Sequence, residues 1–185
     1  MKSEMLDFIR FFFNTNDAYK HIIIYAEHKG YTPIYERLIN DLTKNYNLKL
    51  SVITSQKNYS RLNKNNNIEL FYINNLLGLF MRIVDCKIMV MTTPDLDNYH
   101  IKKSINNVHY MYMFHALVST HMMYRADAFN NYDTIICNGK YQIKEIREYE
   151  AKKKLRKKNL VSSSYNRIER ITFEYENYFN NNKSN

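Results

Sequence analysis

His21-Ile22-Ile23-Ile24-Tyr25-Ala26 is a short, apolar, β-branched run, followed at once by the polar stretch Glu27-His28-Lys29-Gly30-Tyr31-Thr32-Pro33. An unbroken apolar run of this length predicts a strand buried on both faces, as in a parallel sheet covered by helices on each side. The next segment predicts a helix, with Thr32 as N-cap, Pro33 as first helical residue, and Ile34, Leu38, Ile39 and Leu42 along one face. Upstream, Met5, Phe8, Ile9, Phe12 and Phe13 recur at helical spacing and predict a helix over 4–13 that packs across the domain. Downstream the alternation continues, with strands over 48–53 and 68–73, a helix near 75–84 and a strand over 87–91. Further strands are expected over 108–114 and 134–137, then a helix over 141–154, a short strand near Leu160 and a last helix around 167–179. Such alternation defines the α/β class, and its consistent assembly is a Rossmann-like parallel sheet flanked by helices. The expected organisation is an N-terminal helix within 1–20, a Rossmann-like domain over 21–165, and a C-terminal helix with a frayed, Asn-rich tail over 166–185.

With 185 residues, 45% hydrophobic and 24% charged, the composition is that of one ordinary globular domain. It excludes disordered and collagen-like chains. No apolar run approaches the ~20 residues that a spanning helix needs, and the N-terminal segment, broken by Asp7 and Arg10, does not read as a secretory signal. A cytoplasmic protein is expected. Cys86 and Cys137 form no CxxC pair and lie in apolar runs, which predicts buried, reduced thiols and no metal site.

The net charge of +9 is local, since 140–170 carries eleven Lys/Arg against four Glu. Its densest part holds Lys152, Lys153, Lys154, Arg156, Lys157 and Lys158. Such a run reads either as a solvated helix end or as a contact for phosphates, on an anionic membrane surface or on nucleic acid. Nucleic acid is disfavoured, because no helix-turn-helix, aromatic RNA-binding signature or zinc pattern accompanies it. Asn63 to Asn67 reads as a loop.

In parallel sheets ligands bind beyond the carboxyl ends of the strands, so the loops after each strand are the places to inspect. With three glycines in the chain, neither GxGxxG nor a P-loop can be written, which argues against a self-contained dinucleotide or triphosphate site and implies no cofactor. The loop 27–32 holds Gly30 before a helix N-terminus that could receive an anion. In the loop after Met91, Asp95 and Asp97 could bind hydroxyls or a metal ion, or could simply build a Pro-Asp turn after Pro94. His115 stands where an apolar strand ends, either as a general base or as a histidine satisfied by backbone. His121 and Arg125, spaced i and i+4, could share one helical face toward a phosphate or serve as surface and capping residues.

Read together, 89–104 (Met-Val-Met-Thr-Thr-Pro-Asp-Leu-Asp-Asn-Tyr-His-Ile-Lys-Lys-Ser), 114–125 (Phe-His-Ala-Leu-Val-Ser-Thr-His-Met-Met-Tyr-Arg) and 128–139 resemble the CDP-glycerol glycerophosphotransferase family, the likeness extending over about 21–170. The resemblance implies the N-terminal, acceptor-side half of a GT-B fold. Family members transfer polyol phosphate from a CDP-polyol to an acceptor hydroxyl, building teichoic-acid-like polymers at the inner face of the cell membrane. It implies His115 as the base, Asp95, Asp97, His121 and Arg125 along the acceptor side, and a second catalytic domain or chain that holds the cytidine. Without that half the chain is expected to be inactive. Two positions depart from the family pattern: Ala116 stands where many relatives have Gly, and Ser164-Tyr165-Asn166-Arg167-Ile168-Glu169 stands in place of a Gly-Tyr-x-Arg-Leu-Asp-like segment. The rival expectation is a non-catalytic Rossmann-like module that binds anionic membrane or polymer through its basic helix.

Overall fold

The structure, a computed structural model, describes residues 2–57 and 65–182. Helix α1 (Lys2–Ile9) continues through a π-helical turn, Arg10–Asn14. Strand β1 (Ile22–Ala26) leads through a 3-10 turn, Lys29–Tyr31, into α2 (Thr32–Asn40). Strands β2 (Leu50–Thr54) and β3 (Ile68–Tyr72), helix α3 (Leu77–Ile83) and strand β4 (Ile88–Met91) follow. The second half comprises β5 (His109–Met113), a short α4 (Thr120–Met123), β6 (Thr134–Cys137), α5 (Lys140–Lys153), β7 (Asn159–Ser162) and α6 (Asn166–Asn182).

The strands form one seven-stranded sheet, ordered β3-β2-β1-β4-β5-β6-β7, in which every neighbouring pair is parallel. This is the doubly wound, Rossmann-like α/β arrangement, with its reversal of winding between β1 and β4. Alternation along β1 shows why its run is apolar throughout. Ile23 and Tyr25 join a core layer with Phe11, Phe71, Phe80, Met89 and Tyr110, whereas Ile24 and Ala26 face Ile34, Tyr35 and Ile39 of α2.

The expected elements are present, with local differences. Thr32 is not the N-cap of α2. The 3-10 turn brings Tyr31 into helical backbone (φ −93°, ψ −3°), so the helix is entered one residue earlier and Tyr31 caps it without a side-chain bond. At the other end, α6 extends to Asn182, beyond the expected 179, since each added residue of a formed helix gains a backbone bond that offsets the weak propensity of Asn. Of the Asn-rich loop, 63 and 64 lie outside the described residues, and Asn65 anchors its end by donating from its amide to Thr43 Oγ1 at 2.9 Å. Both cysteines are buried and free, and burial pushes each thiol up to about 12.

Helix α1 is fastened by charge as well as by Phe11. Glu4 is buried; its Oε1 accepts from the N–H groups of Asn74 and Leu76, both at 2.7 Å, and its Oε2 from the Asn75 amide at 3.1 Å. Burial alone would raise this carboxyl, but the hydrogen bonds outweigh it and hold it below the usual glutamate range. With its folded-state pKa depressed, Glu4 contributes stability that is complete above the ordinary glutamate pKa and is lost as pH falls through the lowered value. Glu4→Gln is therefore expected to cost about 1–3 kcal/mol at neutral pH and to flatten the acid limb of the stability curve. Thermal melts from pH 3 to pH 7 check this, and a variant with the wild-type acid limb would contradict it.

Candidate functional site

In a parallel sheet with this order, the crevice lies outside the carboxyl ends of the strands where β1 and β4 diverge. Tyr31, in the turn after β1, and His115, two residues past β5, meet there, their rings 4.6 Å apart and inclined by 33°. Because β4 lies between those strands, the pair spans its end. Together with Gly30, Pro33, and Ile171 and Glu174 of α6, they line a cavity of about 350 Å³. That is the size of small-molecule sites, ~300–1,000 Å³.

His115 is half-buried, and its Nδ1 is enclosed with no hydrogen-bond partner. Its carbonyl accepts from the Tyr165 hydroxyl at 3.0 Å, which fixes the backbone of the loop without engaging the ring. A ring nitrogen left without a protein partner is available to a ligand group.

Past the ends of β1 and β4 lies a hydrogen-bonded polar cluster. Glu27 Oε2 accepts from the Thr93 hydroxyl at 2.6 Å. Tyr35 Oη lies 3.0 Å from both Tyr25 O and Thr92 Oγ1, and the Tyr132 hydroxyl donates to Thr93 O. Burial, reinforced by the charges of Glu27 and Asp95 among others, pushes the Tyr132 phenol well above its usual range, so it acts as a neutral donor.

The loop carboxylates divide. Asp97 has a left-handed backbone (φ 68°), and its Oδ1 accepts from the N–H of Lys103 at 3.1 Å, so its carboxylate builds the loop. Asp95 is also left-handed (φ 61°) and turns the chain through Asn98 N–H to Asp95 O, but its Oδ1 is buried without a partner. His121 and Arg125 do not share a helical face. Helix α4 ends at Met123, and Tyr124 is extended (φ −118°, ψ 151°), so Arg125 lies outside the helix; at its start Glu145 accepts from Thr120 N–H and Oγ1, both at 2.7 Å. Both residues line a different, smaller cavity of about 130 Å³ with Tyr124, Phe129 and Tyr149. The Arg125 guanidinium sits 4.9 Å over the Tyr99 ring. Thus the structure brings His115 together with Tyr31 and α6, and it does not bring His121 or Arg125 into that cavity.

The basic run lies at the other edge of the sheet. Helix α5 starts beyond the carboxyl end of β6, at Gly139 (φ 125°, a conformation open to glycine), and runs back to the amino end of β7. Lys152, Lys153, Lys154, Arg156 and Lys157 are exposed there. Lys158 departs from the expected solvated face: its side chain is 7% exposed and its Nζ lies 3.9 Å from Glu150 Oε1. The first residue of β7 follows it, so its backbone is drawn into the core and its N–H donates to Glu150 Oε1 at 2.9 Å.

Sequence reasoning missed Tyr31 as a wall of the site, Tyr165 as the anchor of the His115 loop, and the Glu27–Thr93 bond. Glu27 and Tyr31 lay in a loop already singled out, whereas nothing in the sequence ties Tyr165 or Glu174 to His115. Among the described residues, no group of three His, Cys, Asp or Glu is placed to hold a metal ion, and no helix is long and apolar enough to cross a membrane. The sequence matches no family model and no curated protein.

Proposed function

We propose that the chain is the acceptor-side, Rossmann-like half of a CDP-glycerol glycerophosphotransferase-like enzyme, with His115 as general base. The observation that supports this reading above all is the imidazole of His115, unpartnered at Nδ1, in a cavity at the crevice of the sheet. In the reaction His115 takes the proton of an acceptor hydroxyl, whose oxygen attacks the glycerol-bearing phosphorus of CDP-glycerol. The bond from that phosphorus to the bridging oxygen breaks, and CMP leaves with the bridging oxygen. Positioning and charge neutralisation supply most of the rate, and the cytidine contacts come from a second domain or chain. The enzyme works at the cytoplasmic face of the cell membrane, where Lys152, Lys153, Lys154, Arg156 and Lys157 face anionic lipid.

The placement of His121 and Arg125 in a separate cavity favours a second reading, a non-catalytic module that binds anionic membrane or polymer. Titration with glycerol 3-phosphate, followed by NMR of the histidine rings, separates the two. On the transferase reading the His115 ring signals shift saturably, and Tyr31→Ala weakens the response while His121→Ala leaves it intact. Ring signals of His115 that ignore the ligand would sink that reading.

A further inference from the structure

The cavity of about 130 Å³ beside Arg125 is walled by aromatic rings and shares no lining residue with the His115 cavity. Tyr124 and Phe129 stand 5.0 Å apart, inclined by 62°, and both pack on the buried Phe114, at 5.8 and 5.3 Å. Tyr112, also buried, backs Phe129 at 4.7 Å, so these ring faces are held from behind. Tyr149 and the buried Ile146, one turn apart on α5, complete the wall.

The buried polar groups of the lining are already engaged. Thr120 donates from its N–H and its hydroxyl to Glu145, both at 2.7 Å. Glu150 accepts from Arg147 Nη1 at 2.6 Å and from the Lys158 N–H at 2.9 Å, and the Lys158 ammonium lies beside it. What the interior offers an entrant is therefore apolar and aromatic surface. A cavity of about 150 Å³ takes a benzene ring, so the volume here suits a single six-membered ring. Tilted ring walls favour an aromatic entrant over an aliphatic one, because edge-to-face and offset contacts gain beyond the area they bury.

Arg125 and Asn130, both exposed, mark the mouth. The Arg125 guanidinium lies 4.9 Å over the Tyr99 ring, and among the described residues it makes no ion pair. Its planar fork of N–H donors is thus left for an anion from outside, and a carboxylate matches that fork in two parallel bonds. We propose that this cavity binds a small aromatic carboxylate, its ring inserted against Tyr124, Phe129 and Ile146 and its carboxylate held at the mouth by Arg125. The site is separate from the His115 crevice and does not rest on the transferase reading.

NMR titration of the full chain with benzoate and with benzyl alcohol, which share the ring and differ in charge, tests the site. Both are expected to bind saturably and to shift the methyl signals of Ile146 and Ala126, leaving the His115 ring unmoved. Arg125→Gln is expected to weaken benzoate about tenfold or more and to leave benzyl alcohol at its wild-type affinity. Cyclohexanecarboxylate, with the charge but without the aromatic ring, is expected to bind several-fold more weakly than benzoate. Phe129→Leu should weaken both aromatic ligands, and the exposed position of Arg125 keeps the test decisive should that core variant fail to fold. Absence of a saturable shift at Ile146, or an Arg125→Gln chain that responds to both aromatic ligands alike, would overturn the proposal. Cyclohexanecarboxylate binding as tightly as benzoate would overturn it too.

Discussion

His115→Ala is expected to lower CMP release by ~10²–10⁴-fold in an enzyme assembled with its cytidine-binding half, the range that a positioned general base supplies. The expectation belongs to the transferase reading and follows from how little else the ring does. Its Nδ1 holds no protein partner, and the bond from Tyr165 is made to the His115 carbonyl, which alanine retains. The fold should therefore tolerate the change, with a loss of stability of about 1 kcal/mol from the contact with Tyr31. His121→Ala is the matched control, since that ring lines the other cavity and should leave turnover close to wild type. Assays of CMP release with CDP-glycerol and a polyol-phosphate acceptor, alongside melting curves, read both quantities. An active His115→Ala enzyme would remove the base assignment, and an inactive His121→Ala enzyme that folds would show that the two cavities act together.

The elements of the sheet were readable because burial on both faces favours apolar residues, as in Ile22–Ala26, and admits a polar one such as Ser51 of β2 only with a partner, here Tyr19 O, to which its hydroxyl donates at 2.8 Å. The edge strand Asn159–Ser162 shows the opposite case. It is largely exposed, carries no such run, and was visible only at Leu160. Turn chemistry was legible too: Asp95 and Asp97 after Pro94 both adopt the left-handed backbone that a turn reading requires. What one-dimensional pattern could not carry is the meeting of distant loops. Tyr31 and His115 become neighbours only because β1 and β5 flank β4, an order set by winding and not by adjacency in the chain. Lys158 looks no different in sequence from Lys152. What separates them is that β7 begins at Asn159, which turns one lysine into the protein while the other stays on the last turn of α5.

Glu150→Ala is expected to cost about 3–5 kcal/mol of folding stability, the usual loss when one member of a buried, hydrogen-bonded ion cluster is removed. Glu150 is 3% exposed and satisfies three groups: Arg147 Nη1 at 2.6 Å, the Lys158 N–H at 2.9 Å, and at longer range the Lys158 ammonium. Arg147 is 38% exposed and donates through its other nitrogen to Lys158 O at 3.0 Å, so it can turn to water when the carboxylate goes. Lys158 loses its nearest carboxylate, and its N–H loses its acceptor at the entry to β7, so the larger cost should fall there. That argument sets the size of the double change. Adding Lys158→Met to Glu150→Ala should recover part of the loss, because it removes the unpaired charge, whereas two unrelated substitutions would add. Urea unfolding of the two single variants and the double variant measures the coupling. Simple additivity, or a single-variant loss under about 1 kcal/mol, would mean that solvent already compensates Lys158.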